Sequence, residues 1–459
     1  MVNSIVQGIE FCTINTRFVG LSTKTYIAVF EILFDVESET LGFRAAIVGC
    51  GAQGRVISTF FARDPTFEEV ALFDIKPEVC QDHIHSIDGL GIRADKITRT
   101  EKLNAGDKED VARKVSGYDV LINAVIPRFN LDLMEASLKA GVHYVDMAFG
   151  PPYNNLEKQL QLAGDFERGG LVAIIGAGKS PGLTNLLVAE AAEMLDSVLS
   201  VKIRIFGEVE STEPLMTWSP KTLLEDCSIP PAYISDGKLV RALPFGGEEE
   251  YVFPQPVGKR RVWLHEHEEA YMFHWSLKNR GLKNFDLKMG GLENMKALYE
   301  LGLLGRKDTA QGSSEPNLID LLASLLPQPP TQEELLKMIE RGVITGSQGI
   351  SVVEVEGEKA GSEARVVLWV SDPNILDVVR SYPMATDDSY VVGLTCSLIT
   401  RVALSEADSL GSGVYLPEML PSSIRRNVLN QLSKQVPPIL VNGRFEGNVK
   451  LTVERARTH

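Results

Sequence analysis

From residue 43 onward, short apolar runs alternate with amphipathic stretches. The first run, Ala45-Ala46-Ile47-Val48, passes through Gly49-Cys50-Gly51-Ala52-Gln53-Gly54 into a helical pattern at 56–62, and Val70-Ala71-Leu72-Phe73 then stops on Asp74. Unbroken apolar runs of about four to eight residues between turn signals predict strands buried on both faces, and a 3.6-residue spacing predicts helices. The same alternation predicts helices at 80–89, 108–115, 129–140 and 154–166, and strands at 93–99, 119–124, 143–146 and 171–175. A second glycine-rich strand-to-helix turn, Gly176 to Asn185, leads into a helix at 186–194.

The period changes after residue 197. Alternating apolar and polar positions predict a half-buried strand at 198–207, then short strands at 239–242, 249–253, 260–264 and 284–289. Helical patterns follow at 293–301, 319–325 and 333–340. Two strands, 350–356 and 364–370, flank residues 357–362 and read as a hairpin. A long apolar helix is expected at 390–404, followed by a weaker helix at 424–432 and a strand at 449–454.

At 459 residues the chain is too long for one ordinary core, so two or three domains are expected. A formal net charge of −15 removes any electrostatic attraction to nucleic acid or to anionic membranes, and neither is expected as a partner. No apolar run reaches the about 20 residues of a membrane span. Cys12, Cys50, Cys80, Cys227 and Cys396 include no CxxC pair, so neither a disulfide framework nor a zinc site is expected. Reduced thiols fit a cytoplasmic protein. Residues 1–42 lack the pattern of a secretory signal and are too acidic after Glu31 for a mitochondrial presequence; an extra strand or hairpin, or an over-extended translation start, is expected there.

The run from Phe43 to Asp74 carries the clearest chemistry. Gly49 permits a tight turn, Gly51 leaves room for a pyrophosphate, and Gly54 lets the helix lie close to the sheet. Ala52 and Gln53 open the helix whose free N–H groups would face the phosphates. Asp74, at a strand end with Ile75 beside it, can accept from a ribose 2′-hydroxyl and would repel a 2′-phosphate. The expected cofactor is therefore NAD, with NADP still open because Lys76 is near. Asn123 and Ala124, at another strand end, are expected to line the same cleft. The second turn contains Gly178-Lys179-Ser180, but Ala173 stands where a triphosphate-binding loop needs its first glycine, so that function is set aside.

Five stretches together resemble the saccharopine dehydrogenase family: Gly49 to Gly54, Asp119 to Ala124, Leu138 to Asp146, Pro181 to Asn185 and Gly413 to Glu418. Trp218-Ser219-Pro220 to Asp236-Gly237-Lys238 and Leu301-Gly302-Leu303-Leu304 are most similar to its lysine 6-dehydrogenase-like branch. The resemblance covers roughly residues 43 to 420. It implies an α/β fold: a Rossmann domain with an inserted mixed α/β (α+β) domain for substrate and dimerisation, and a C-terminal return to the first domain. The expected division is 1–42 (extension), 43–180 (Rossmann NAD(P)-binding), 181–388 (substrate and dimerisation) and 389–459 (returning segment). It also implies an NAD(P)-dependent oxidoreductase acting on an amine or imine of an amino acid, as a homodimer or higher homo-oligomer. A reductive amine–carbonyl condensing enzyme of the carboxynorspermidine type and a non-catalytic NAD-binding sensor or assembly protein are the alternatives.

For proton transfer the candidates are Asp146, at a strand end, Lys179, on the second turn, and His143, with His265 and His267 as further choices. Lys179 stands where the family leads us to expect a small or acidic residue. Ser180, Asn185 and Ser219 are candidate substrate contacts. Arg204 is the candidate carboxylate partner, with Lys259, Arg260 and Arg261 also in the substrate domain. His265-Glu266-His267-Glu268-Glu269 has a metal-like composition, but it is expected to be a charged solvent-facing run with no metal.

Overall fold

A computed structural model describes residues 14–20, 26–32, 42–92, 94–150, 155–217, 219–304, 318–382 and 385–447. Two sheets organise the chain. The first has seven parallel strands in the spatial order Gly413–Tyr415, Val172–Ile174, His143–Asp146, Val120–Asn123, Phe43–Val48, Phe67–Asp74, Ile97–Lys102. Its central strands are continuously apolar because helices cover both faces; Ala45, Ala46, Ile47 and Val48 are all buried. The order reverses beside Phe43–Val48, the first strand of this sheet in sequence. In such sheets ligands bind at the carboxyl ends of the strands, near that reversal.

The second sheet has eleven strands. Its middle is the long strand Ile344–Lys359, antiparallel to both Ser197–Ser211 and Ser362–Ser371. The 350–370 hairpin is longer than its apolar pattern suggests and turns over Ala360 and Gly361, both at positive φ, as a two-residue turn requires. Gly357, expected in the turn, instead sits in the strand, where a Cβ would fall 1.9 Å from the Ser197 carbonyl oxygen. The buried helix Leu183–Glu193 packs on this sheet and carries the second glycine turn at its start.

The helix expected at 390–404 spans Asp387–Ser405 and lies against the helix Ala52–Arg63. Gly393 makes the contact close: a Cβ there would meet Val56 at 2.7 Å. The hydroxyls of Thr395, Ser397 and Thr400 donate to carbonyls one turn earlier, so burial leaves none of them unpaired.

The C-terminal segment divides between the layers. Gly413–Tyr415 joins the first sheet, as the returning segment was expected to do. Val441–Gly447 instead pairs with Ser362–Ser371 in the second sheet, and the hairpin Ile14–Gly20/Tyr26–Ile32 extends that edge. The strand expected at 449–454 lies outside the described residues. Three short helices not foreseen from the pattern complete the packing: Pro220–Asp226 lies against Leu318–Leu325, Glu269–Ser276 against Ala232–Ser235 and Asn284–Met289, and Ile375–Ser381 against Ile344–Lys359.

Candidate active site

At the carboxyl end of Phe43–Val48 the turn has the shape a dinucleotide needs. Gly49 has φ +106°, and a Cβ on Gly54 would lie 1.9 Å from the Gly49 carbonyl oxygen, so neither position tolerates a side chain. A Cβ on Gly51 would meet nothing within 4 Å. Ala52 and Gln53 begin the helix Ala52–Arg63, whose N-cap supplies no side-chain hydrogen bond, leaving N–H groups for an anion. Asp74 accepts from the Cys50 N–H at 2.8 Å and from the Lys76 N–H at 2.9 Å, which holds its carboxylate beside the turn. Ile75 is exposed next to it. Ala124 closes the far side: its N–H donates to Val48 O at 2.8 Å, and its carbonyl abuts Gly49. The residues present fit the pyrophosphate and ribose of a dinucleotide.

The next strand ends are held by buried polar side chains. Asn123 donates to Asn130 Oδ1 and to the Tyr144 hydroxyl and accepts from the Val125 N–H. Asp146 accepts from Gly176 N–H at 2.8 Å, Gln159 at 2.7 Å, Tyr144 at 3.0 Å and Asn130 at 3.1 Å. Burial pushes the Asp146 carboxyl up to about 7 against these bonds. At 1% exposure and surrounded by protein donors, Asp146 braces the strand ends.

Facing these strand ends is the run His265 to Glu269, and here the expectation of a solvent-facing run fails. His265, Glu266, Glu268 and Glu269 are buried. Glu268 Oε1 accepts from the Gly150 N–H at 3.1 Å, which joins the run to the loop after His143–Asp146. His267 Nδ1 lies 2.6 Å from Glu269 Oε2 and 3.2 Å from Glu268 Oε2. Glu269 Oε1 in turn accepts from Ser180 and from Thr184 Oγ1 at 2.8 Å. Burial opposes the His267 charge, yet Glu269, Glu268 and nearby Asp226 raise it to about 10. Burial also opposes the Glu269 charge, but the imidazolium and these donors hold it below its ordinary value. The pair is therefore ionised. The ligand atoms of His267, Glu268 and Glu269 lie within 4.8 Å of one another, a spacing that a metal ion could also use.

The structure does not bring the other sequence candidates to this point. Lys179 Nζ sits 2.5 Å from Asp372 Oδ2 and 3.2 Å from Asp388 Oδ1. Burial would lower it, but the two carboxylates raise it above its ordinary value, which suits a permanent clamp and not a proton carrier. His143 lies at the amino end of its strand, away from the cleft, and its Nδ1 accepts from the Val172 N–H. Arg204 is 1% exposed and already paired with Asp286 and with Glu249 at 2.9 Å, so it has no open side for a substrate carboxylate. Arg260 lies over Phe206, Arg261 over Trp263, and Lys259 pairs with Glu250. Ser219 caps the helix Pro220–Asp226 by accepting from Thr222 N–H. Asn185 caps Leu183–Glu193 through Gly182 N–H and donates to Glu418 at 2.9 Å; only Ser180 contacts the acid–imidazole cluster. Glu268 and Glu269 were read in sequence as part of a solvent-facing run whose only signal was the His/Glu density of 265–269, and Asp226 carried no signal at all.

Residues 45–174 match the saccharopine dehydrogenase NADP binding domain, and residues 178–436 the saccharopine dehydrogenase C-terminal domain. The chain belongs to the saccharopine dehydrogenase family. It is 23% identical over 342 residues to carboxynorspermidine synthase of Vibrio cholerae, covering 70% of this chain and 80% of that one. It is 25% identical over 301 residues to carboxyaminopropylagmatine dehydrogenase of Synechocystis sp., covering 63% and 74%. Saccharopine dehydrogenase (L-Glu forming) from Saccharomyces cerevisiae shares the fold, with a TM-score of 0.63 at 14% identity, covering 89% of this chain and all of that one. As a member of the family the protein is an oxidoreductase with an NAD(P)-binding domain, and the glycine turn described above lies in that domain. Among the described residues no helix is long and apolar enough to cross a membrane.

Proposed function

We propose that this oxidoreductase acts at a carbon–nitrogen bond, reductively joining a cationic amine to a carboxylate-bearing aldehyde. The observation that carries the reading is the acid–imidazole cluster of Asp226, His267, Glu268 and Glu269 at the carboxyl edge of the dinucleotide sheet. Three carboxylates face one imidazolium there, an environment suited to a positively charged substrate. The names of two relatives, carboxynorspermidine synthase and carboxyaminopropylagmatine dehydrogenase, support an amine substrate with further cationic nitrogens.

The amine and aldehyde would lose water to give an imine, and the reduced dinucleotide supplies the hydride that converts it to a secondary amine. The protein's part is to seat the amine against the carboxylates and to hold the charge of His267 through Glu269. It also buries the strand ends, so that bulk water does not compete for the imine. His267, held protonated by Glu269 and 21% exposed at its side chain, is the group placed to give a proton to the nitrogen.

Dinucleotide absorbance tests the reading. Reduced dinucleotide should be consumed when 1,3-diaminopropane is mixed with carboxylated aldehydes of two to four carbons, as a generic screen of this chemistry. Oxidation of lysine alone at a comparable rate would replace this reading with an amine dehydrogenase of the lysine 6-dehydrogenase type. Dinucleotide binding without turnover of any amine would leave the sensor.

A further inference from the structure

The cluster contains a side chain that nothing in the described protein accounts for. His265 is 8% exposed, and among the described residues its ring makes no hydrogen bond. Its ring centroid lies 6.3 Å from that of His267. Burial, with the neighbouring His267 charge, pushes His265 down to about 3, so the ring is neutral and one nitrogen is a free acceptor. The Asp226 carboxylate, half-buried at the end of Pro220–Asp226, likewise has no ion pair or hydrogen bond among the described residues.

The charges do not balance. Glu269 is matched by His267, and Glu266 by Arg241 at 3.2 Å together with Tyr271 at 2.7 Å. That leaves Glu268, which shares the imidazolium with Glu269, and Asp226, which has no cation of its own; burial opposes the charge of both, and a cation beside them would favour their ionised forms. A metal ion is the poorer completion. His267 Nδ1 is committed as a donor to two carboxylates, and both Glu269 oxygens already accept protein hydrogen bonds. An ammonium group brings three N–H donors: Asp226 and one nitrogen of His265 are unpartnered among the described residues, and each Glu268 oxygen, with one protein donor already beside it, keeps a second lone pair.

We propose that Asp226, Glu268 and His265 form the subsite for the primary ammonium group of the amine substrate, with the His267–Glu269 pair as its fixed wall. The proposal rests on the reading of the protein as an amine-acting oxidoreductase and assigns that reaction a set of substrate-positioning residues.

Titration of 1,3-diaminopropane into the NADP⁺-bound protein, followed by calorimetry, tests it. The diamine should bind, and the neutral isostere 1,3-propanediol should not. Asp226→Asn and His265→Phe should each weaken diamine binding by roughly 10- to 100-fold, the loss of one charged hydrogen bond, with NADP⁺ affinity and thermal midpoint kept. Equal binding of diol and diamine by the wild-type protein, which needs no variant to fold, would overturn the subsite. So would undiminished diamine affinity in both variants. Stoichiometric zinc binding that Glu268→Gln removes would replace the ammonium site with a metal site. If the diamine binds as described yet no amine is turned over, the subsite stands and the reading of the reaction falls.

Discussion

His267 and Glu269, two residues apart on one segment, form a largely buried 2.6 Å ion pair, and Ser180 and Thr184 anchor its acid end to the second glycine turn. The pair makes stability depend on pH in a fixed direction. His267 is raised in the folded protein to about 10, so its contribution is complete below the ordinary imidazole value of about 6.5 and is lost as pH rises through about 10. His267→Gln should therefore be less stable than wild type at about pH 6, and the gap between them should close toward about pH 10. Denaturant midpoints of both proteins across that range measure it. A gap independent of pH would mean that folding leaves the proton affinity of His267 unchanged.

Lys179 should prove structural. It neutralises Asp372, which is 3% exposed at its side chain and whose Oδ1 has no partner among the described residues. Lys179→Met strands that carboxylate and should cost about 3–5 kcal/mol. Lys179→Met combined with Asp372→Asn should recover most of the loss, because the most deeply buried of the carboxylates that Lys179 neutralises is then removed, while Asp388 is half exposed to water. Chemical denaturation of the three proteins shows this, and the double variant should keep turnover. A stable but inactive double variant would restore Lys179 as a proton-transfer residue.

The Rossmann half was legible because each element obeys its own period. Buried parallel strands read as unbroken apolar runs, and glycines mark the places where backbone must meet backbone or phosphate, as at Gly49 and Gly54. The helix Asp387–Ser405 was legible from its length and apolarity. The cluster was not. Charge density at 265–269 reads as solvated surface, because sequence does not show that His267 neutralises Glu269 or that Glu268 meets Gly150 N–H. Arg204 misled for the same reason: as a cation in the substrate domain it suggested a carboxylate partner, but Glu249 and Asp286 already hold it. The helix Glu269–Ser276 escaped notice because its apolar residues keep no helical spacing.

The two glycines of the first turn should fail in different ways. Gly54→Ala drives a Cβ into the Gly49 carbonyl, so it should lower the unfolding midpoint as well as dinucleotide affinity. Gly51→Asp points into open space, so the protein should fold normally but repel the pyrophosphate and lose dinucleotide binding. Thermal unfolding with and without NADP⁺ separates the two. Normal NADP⁺ binding by Gly51→Asp would remove the turn from the cofactor site.

Asp74 should govern the choice between the two dinucleotides. Its oxygens are steered by Cys50 N–H and Lys76 N–H, and each retains a lone pair for a ribose hydroxyl. A 2′-phosphate would meet that carboxylate at close range, with Lys76 as a partial counterweight. Asp74→Ser should shift the ratio of kcat/KM toward NADPH by about tenfold or more, the scale of one charge repulsion relieved. An unchanged ratio would place the 2′ position away from Asp74.

Amine binding should release a proton, and Asp226 is its source. Burial, together with Glu268, Glu225 and Glu266, pushes the Asp226 carboxyl up to about 7 against the lowering effect of His267. His265 stays neutral, and Glu268 also feels the charges of Glu269 and Asp146. A substrate ammonium beside Asp226 favours the carboxylate, so binding at about pH 6 should expel up to about one proton per site, and binding at about pH 8.5 almost none. Calorimetric titration of 1,3-diaminopropane in buffers of different ionisation enthalpy reads the number directly. Asp226→Asn should bring it to zero at both values. Proton release that persists in this variant would identify Glu268 as the titrating partner, and the absence of release from wild type at about pH 6 would mean that Asp226 does not meet the amine.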